Sequence, residues 1–482
     1  MTRQKLNFTQ NLFLLIICLL PACQSETTTV QTSRGQVEIP TAELLKIMGE
    51  AYVFGYPLVL MDLTKKVSTN IEKPHPLRPI APVNQLGHFR VFPDHTMTAV
   101  VKPNVDTYYS IAWLDLNKEP QVLSIPATER YCLFPLLDAY SNVFASPGTR
   151  TTGTGAQEIL IAGPNWEGEP PAGLTVIKAP TQMVWVLGRI QVNSPEDGAT
   201  SVKAIQDGMG LVPLSAYGQT DYVVPLGQVN SEPTNRVPVK AIRDLDINTY
   251  FNRMAAMMVD NPPHAADSLM VKRMAKIGLI AGQPFDISTD NFILKMKLKK
   301  LPDFIHKKME ERRTKPDTSL LTNGWLVVNE GIGTYGIDYL RRAYIDFVGL
   351  GANIPEDAVY PICNADINGN SLVGSKDYQI HFDAHQLPPV HAFWSLTAYT
   401  ADEFLVENEL NRFALGDRDQ LKYNEDGSLD LFIQARPPAE EQLSNWLPIP
   451  KSGPFSLTMR LYWPKQIVLD GQWDIPFVVP ID

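Results

Sequence analysis

Proline limits this chain more than any other residue. There are 39 prolines against 30 glycines in 482 residues. A proline has no N–H to give to a helix or a sheet ladder, so regular elements must fit between prolines or use them at their ends. That favours β-rich domains with ordered, extended connections over a mostly helical protein. Hydrophobic residues make up 44% of the chain and charged residues 20%. These values exclude a disordered chain, a coiled coil and a collagen-like fibre. A chain of this length holds roughly two to four domains.

The first 22 residues read as an export signal. Arg3 and Lys5 form a positive start, and residues 12–20 are a nine-residue apolar run. Such a run is too short to cross a bilayer as a mature helix, which needs about 20 residues. It ends in Leu20-Pro21-Ala22-Cys23, which resembles the lipobox of bacterial lipoproteins, with Pro21 where a small or branched residue is usual. The resemblance implies that Cys23 is the lipidated first mature residue; the alternative is ordinary cleavage near Ala22. Gln24 follows where many inner-membrane lipoproteins carry Asp, so the outer membrane is favoured. Several acyl chains on one terminus would hold the protein to the envelope membrane. Without residues 1–22 the chain has 40 bases against 52 acids, a net charge of −12. A protein this acidic repels phosphate backbones, and no nucleic-acid partner is expected.

Residues 23–39 are polar and read as a flexible tether. Residues 40–73 read as an N-terminal helix that Thr41 can cap, ending near Pro57 or resuming through Leu63. Over residues 74–195 short apolar runs alternate with Pro, Gly and Asn turns, the spacing of a β-sandwich. Over residues 196–354 the period lengthens: Ile247, Phe251, Met254 and Met258 are set for a helix, as are Leu340, Tyr344 and Phe347. Residues 292–313 read either way, because Leu294, Met296 and Leu298 alternate with lysines as in a strand, while Pro302 would suit a helix start. Residues 290–313 carry eight bases and four acids; a solvated face explains them, and contact with anionic lipid or a polyanionic glycan is the alternative. From 355 to 482 the strand pattern returns, with 466–469 among the expected strands. Cys132 and Cys363 would remain in a compartment that permits disulfides, either bridged or as two buried thiols.

Two sets of strings carry a family resemblance. Asn104, Asp106, Thr107 and Tyr108, then Arg130, Asp138, Asn142 and the stretch 148–153, resemble the domain-of-unknown-function family 1254. The stretch 388–397, then Asn411, Arg412, Asp426, Trp446, Arg460 and Tyr462, resemble family 1214. The resemblance spans about 40–482. It implies a mainly β protein with a helical insert: an N-terminal immunoglobulin-like β-sandwich, a central α-helical domain and a C-terminal jelly-roll β-sandwich. It brings no assigned activity and no catalytic residues.

Three groups of residues are candidates for chemistry. Asn104, Asp106, Asp138, Asn142 and Arg150 lie in turn-rich segments, where loops on a rigid sheet often bind ligands. Asp106 and Asp138 would suit an acid–base pair in a glycan hydrolase if they share a cleft; otherwise such residues bond their own turns. His381, Asp383 and His385 would share one face of a strand and could hold a metal, or be its polar outer face. Trp394, Tyr399, Trp446, Tyr462 and Trp463, with Arg412 or Arg460, would stack a flat ligand or fill a core. Asp366, Asn368 and Gly369 look faintly like a calcium loop but lack its spacing and read as a turn. No cofactor is expected. The sequence therefore points to an envelope lipoprotein that binds a small molecule, glycan or envelope partner through its β domains, with an envelope hydrolase as the rival and homo-oligomer formation open.

Overall fold

In the computed structural model, which describes residues 27–98, 100–231, 236–314 and 318–481, the chain enters through a hairpin rather than a tether. Strand β1 (Thr27–Thr32) pairs antiparallel with β2 (Gly35–Pro40), with Thr32 opposite Gly35. Thr28, Val30 and Thr32 are buried while Thr27, Thr29 and Gln31 are exposed, the two-residue period of a half-buried strand. Gly35 turns the chain at φ +112°, a conformation that favours glycine. The expected leader and Cys23 lie outside the described residues.

Helix α1 (Thr41–Thr69) runs on from the hairpin without a side-chain cap, and Pro57 sits inside it. An interior proline costs about 3 kcal/mol, and burial outweighs that here. Residues on every side of the helix, from Leu44 to Asp62, are buried. The helix is long and apolar enough to cross a membrane, yet 89% of its most apolar stretch is covered by the rest of the protein. It is the centre of a helical layer. Packed on it are α2 (Pro238–Arg243), α3 (Ile247–Asp260), α4 (Ser268–Lys276), α5 (Phe292–Thr314) and α6 (Tyr339–Gly349). The ambiguous segment is thus helical. Leu294, Leu298, Leu301, Ile305 and Met309 are buried along it, a stripe of helical period that decides against the strand pattern.

Two β regions are interleaved with these helices in sequence. In the first, β3 (Gly87–Phe89), β4 (Thr107–Asp115), β7 (Leu136–Leu137), β8 (Val143–Ala145) and β11 (Met183–Gln191) form one sheet in the order β3-β4-β11-β7-β8, with β6 (Cys132–Leu133) also on β11. The second sheet has the order β10-β9-β5-β12, from β5 (Gln121–Ile125), β9 (Gln157–Ala162), β10 (Thr175–Lys178) and β12 (Gly210–Pro213). Tyr108, Ala112, Val184 and Val186 of one sheet meet Leu123, Ile125, Ile159 and Ile161 of the other in one core. This region continues past residue 195, because β12 pairs with β5.

The C-terminal region also has two sheets. The larger has the order β14-β15-β17-β23-β19-β20, with β16 on β23; its strands are Leu321–Thr322 (β14), Trp325–Leu326 (β15), Ala358–Val359 (β16), Ile362–Cys363 (β17), Val390–Thr400 (β19), Ala414–Gly416 (β20) and Phe455–Pro464 (β23). The smaller has the order β22-β21-β18-β24, from Asp377–Phe382 (β18), Leu429–Gln434 (β21), Trp446–Pro448 (β22) and Val479–Ile481 (β24). Both sheets feed one core. Gln466–Leu469, expected as a strand, is a short helix after Pro464. A remaining strand, β13 (Ile287–Ser288), joins the entry hairpin on the free edge of β1. Cys132 and Cys363 are both buried and free. The protein is mainly β, with several sheets and a helical layer.

Candidate functional site

Strand alternation builds a polar junction between the two β regions. On β19 the residues Trp394, Leu396 and Ala398 face the C-terminal core, so Ser395, Thr397 and Tyr399 point the other way. On β23, Met459 and Leu461 face that core, and Arg460 and Tyr462 point away. On β4, Tyr108, Ala112 and Leu114 face the N-terminal core, which turns Tyr109 outward beside its cross-strand partner Arg189 on β11. These outward faces meet. The apolar part of the contact is a small cluster of Tyr131, Leu133, Ala358, Phe393 and Tyr462.

Asp106 stands at its centre with no exposed surface. An Asx turn holds it just ahead of β4: Asn104 Oδ1 accepts from the Asp106 N–H at 2.7 Å. Its carboxylate accepts from Ser395 Oγ at 2.6 Å and pairs with Arg418, 312 residues away in sequence. Arg418 also donates to the carbonyls of Val192 (2.5 Å) and Asp106 (3.0 Å) and covers the Phe393 ring at 4.4 Å. Asn104 donates to Tyr462 Oη at 2.9 Å and to Tyr109 Oη at 3.2 Å. Arg460 donates to Thr397 Oγ1 at 2.9 Å, Tyr399 Oη at 2.6 Å and the Lys102 carbonyl at 3.2 Å. Arg189 donates to Asn353 Oδ1 at 2.6 Å and the Gly351 carbonyl at 3.1 Å, and Asn353 in turn donates to Tyr360 Oη at 2.8 Å. At the edge, Arg150 pairs with the buried Asp357 at 2.7 Å. Its turn depends on Gly148, at φ +144° with its Cα against the Cys132 carbonyl, where a Cβ would collide.

The acids are unevenly shared. Asp106 bonds Arg418 and also acts at longer range on Arg460, and Asp417 and Asp419 lie near Arg418 as well. Arg189 and Arg460 are 6% and 4% exposed, and among the described residues neither bonds a carboxylate. Among the described residues the Nε of Arg189 has no hydrogen-bond partner. Burying a charge without its counterion costs several kcal/mol. Burial also pushes the Tyr360 hydroxyl up from its usual pKa, against the pull of Arg189, and pushes Tyr462 well above it. Both phenols therefore keep their protons and can donate. Asn104, Tyr109 and Tyr360 keep accessible surface where their neighbours Asp106, Tyr399 and Tyr462 have almost none. Guanidinium and phenol donors converging in a desolvated place can hold an anion or a developing oxyanion.

The structure thus brings Asn104, Asp106, Arg150 and Arg460 together and separates the remaining candidates. Asp138 is also fully buried, but it caps its own turn: Oδ1 accepts from the N–H groups of Tyr140 (2.8 Å) and Asn142 (3.0 Å). Its Oδ2 lies 2.7 Å from His264 Nε2. The proposed acid–base couple of Asp106 and Asp138 therefore has no shared cleft, because each carboxylate is covered by its own partners. Trp394 is in the C-terminal core. Arg412 braces a loop by donating to the carbonyls of Leu443 (2.6 Å) and Trp446 (3.0 Å). His381 has both ring nitrogens against carboxylates, Asp430 at 2.7 Å and Asp383 at 3.3 Å. His385 lies in the turn after β18, so the alternating face that would have joined it to His381 and Asp383 ends before it. Among the described residues no group of three or more His, Cys, Asp or Glu is placed to hold a metal.

Two features escaped sequence reasoning. Around Asp138, Ser141 takes a left-handed backbone (φ 63°) and donates at 2.7 Å to the buried Asp346, whose pKa burial pushes up to about 8. Arg342 lies over the rings of Phe54, Tyr140 and Tyr339. Separately, a cavity of about 270 Å³ opens between α5, α6 and residues 319–332 and 468–475. Its arginines are already engaged: Arg341 pairs with Asp338 at 3.5 Å, and Arg312 covers Tyr344. Nothing in the sequence marked Arg189, Arg418 or Tyr360, whose roles depend on chain segments far apart.

Comparison with known proteins agrees with the two-part pattern. Residues 83–213 match the family model described as a protein of unknown function, DUF1254, and residues 357–466 match the one described as DUF1214. No curated protein matches. The crystal structure of the VPA0106 protein from Vibrio parahaemolyticus is similar, with a TM-score of 0.65 and 24% identity over 90% of this chain and 99% of that one; the likeness extends to the fold. An uncharacterized protein from Burkholderia cenocepacia gives a TM-score of 0.42 and 11% identity over 91% of this chain and 89% of that one.

Proposed function

We propose that this chain, which carries a DUF1254 segment followed by a DUF1214 segment, is an exported envelope lipoprotein that binds a small anionic molecule where its two β regions meet. The observation that carries the reading is the pair of buried guanidiniums, Arg189 and Arg460, with no carboxylate bonded to either among the described residues. A carboxylate or phosphate would supply the missing charge, and Tyr109, Tyr360 and Asn104 would orient it. The residues that mark the two segments in sequence, Asn104 and Asp106 in one and Arg460 and Tyr462 in the other, are those that touch across the junction. A paired site explains why both segments occur in one chain. The N-terminal region reads as an immunoglobulin-like sandwich and the C-terminal region as a jelly roll, and their shared contact is the binding place. Cys23 carries the anchor, with the outer membrane favoured by Gln24. A hydrolytic use of Asp106 and Asp138 has less support, since their partners differ.

The test is thermal melting of the mature protein with a panel of small carboxylates, sugar acids and phosphates at constant ionic strength. A ligand that binds the native state raises the melting temperature by mass action. At least one anion should do so, its neutral ester should not, and Arg189→Met should abolish the shift. Stabilisation by neutral sugars alone, or an anion effect untouched by Arg189→Met, contradicts the proposal.

A further inference from the structure

The outer face of α5 joins exposed apolar side chains to lysines that have no ion pair among the described residues. Asn291 starts the helix, its Oδ1 accepting from the Leu294 N–H at 3.0 Å. Leu294, Leu298 and Leu301 go into the protein. At 3.6 residues per turn the opposite face is centred on Phe292 and Met296, with Ile293 beside them. Phe292 is 73% exposed, Ile293 67% and Met296 36%. Lys295, Lys299 and Lys300 flank this patch, and residues 292–302 hold four lysines and no acid. None of the four has an ion pair among the described residues. The exposed acids nearest in sequence are Asp290, before the helix, and Asp303, one turn beyond Lys299 and Lys300. Glu310 and Glu311 belong to the far half of the helix.

The entry hairpin delivers the start of the chain to this patch. Strand β1 runs antiparallel to β13, with Gln31 opposite Ser288 and Thr32 opposite Ile287. Beyond the paired residues the two segments stay adjacent, with Thr289 Oγ1 3.5 Å from the Thr29 carbonyl. Thr27 lies two residues before Thr29 at the start of β1, and Phe292 opens α5 three residues after Thr289. Thr27 is four residues after Cys23, a reach of at most about 14 Å.

We propose that Phe292, Ile293 and Met296, ringed by Lys295, Lys297, Lys299 and Lys300, dock on the anionic bilayer surface beside the anchored chain start. The choice of a bilayer as the occupant rests on the proposed lipid at Cys23. Apolar side chains that enter the headgroup boundary, framed by lysines that attract anionic lipid, are the two parts of an interfacial contact. The contact would fix the orientation of a protein whose net charge otherwise repels such a surface.

The test uses the full mature chain with Cys23→Ser, so that no acyl group contributes. It should co-sediment with vesicles rich in phosphatidylglycerol, not with pure phosphatidylcholine, and come off at high salt. Combined Lys295→Gln, Lys299→Gln and Lys300→Gln should lower the partition coefficient at least about tenfold; the same three changed to Arg should leave it unaltered. Phe292→Trp should show a blue-shifted emission on the anionic vesicles. No binding to them, a Gln variant that binds like the parent, an Arg variant that loses binding, or a tryptophan that stays in water would each overturn the proposal. Failure to label Cys23 with palmitate would remove the anchor and not these results.

Discussion

Asp106 and Asp138 are alike in type and in having no exposed surface, yet they do different work. Asp106 reaches across the molecule to Arg418 and Ser395, 312 and 289 residues away. Asp138 closes a turn over four residues and reaches one distant side chain, His264. One carboxylate joins two β regions; the other shapes a loop against the helical layer. Burial of a carboxylate is thus no guide to its role. The range of its partners is.

Removing Asp106 should have the largest effect. Asp106→Ala takes from the half-buried Arg418 the one carboxylate that it bonds among the described residues, leaving only the longer-range pull of Asp417 and Asp419, at a cost of about 3–5 kcal/mol. Adding Arg418→Met should recover much of that loss. Urea denaturation of the single and double variants measures both, and equal losses in the two would mean that charge is not what holds the junction.

A pH effect at Asp346 comes next. Its pKa is pushed by burial from 3.8 up to about 8, so between these values the native state binds more protons than the unfolded one. Stability from this group therefore falls as pH rises across that window and is flat above it. Asp346→Asn should remove the fall and be the more stable protein above the window. Parallel stability–pH curves for the two proteins would refute the buried, protonated acid.

The Asp138 side should give the smallest effects. Asp138→Ala strands the N–H groups of Tyr140 and Asn142, a cost of about 1–3 kcal/mol. Its hydrogen bond to His264 raises that histidine above its ordinary 6.5, against desolvation. The stabilisation is complete below 6.5 and is lost as pH rises through the higher folded value. An NMR titration should place the His264 midpoint above 6.5 in the parent and lower in Asp138→Asn; no change between them would detach the two residues.

The mainly β character and the two-family pattern were legible because strand punctuation and local strings are short-range properties. The junction was only half legible. Asn104, Asp106 and Arg460 lie in recognisable strings, but Arg418 and Arg189 become important only when distant strands meet. Alternation along β19 shows why Trp394 was misleading: it lies in the same string as Ser395 but on the core face. The entry hairpin was hidden because its buried positions are filled by Thr28, Val30 and Thr32, which read as polar tether. Residues 292–313 were ambiguous because Leu294, Met296 and Leu298 fit two periods, and only the longer stripe to Met309 separates them.

Bromide soaked into crystals of the mature protein gives the most direct view of the central claim, since its anomalous scattering locates an anion without naming the natural ligand. A peak is expected within contact of Arg189 and Tyr360, absent in Arg189→Met. Bromide found only on the outer surface, with the junction empty in the parent protein, would contradict it.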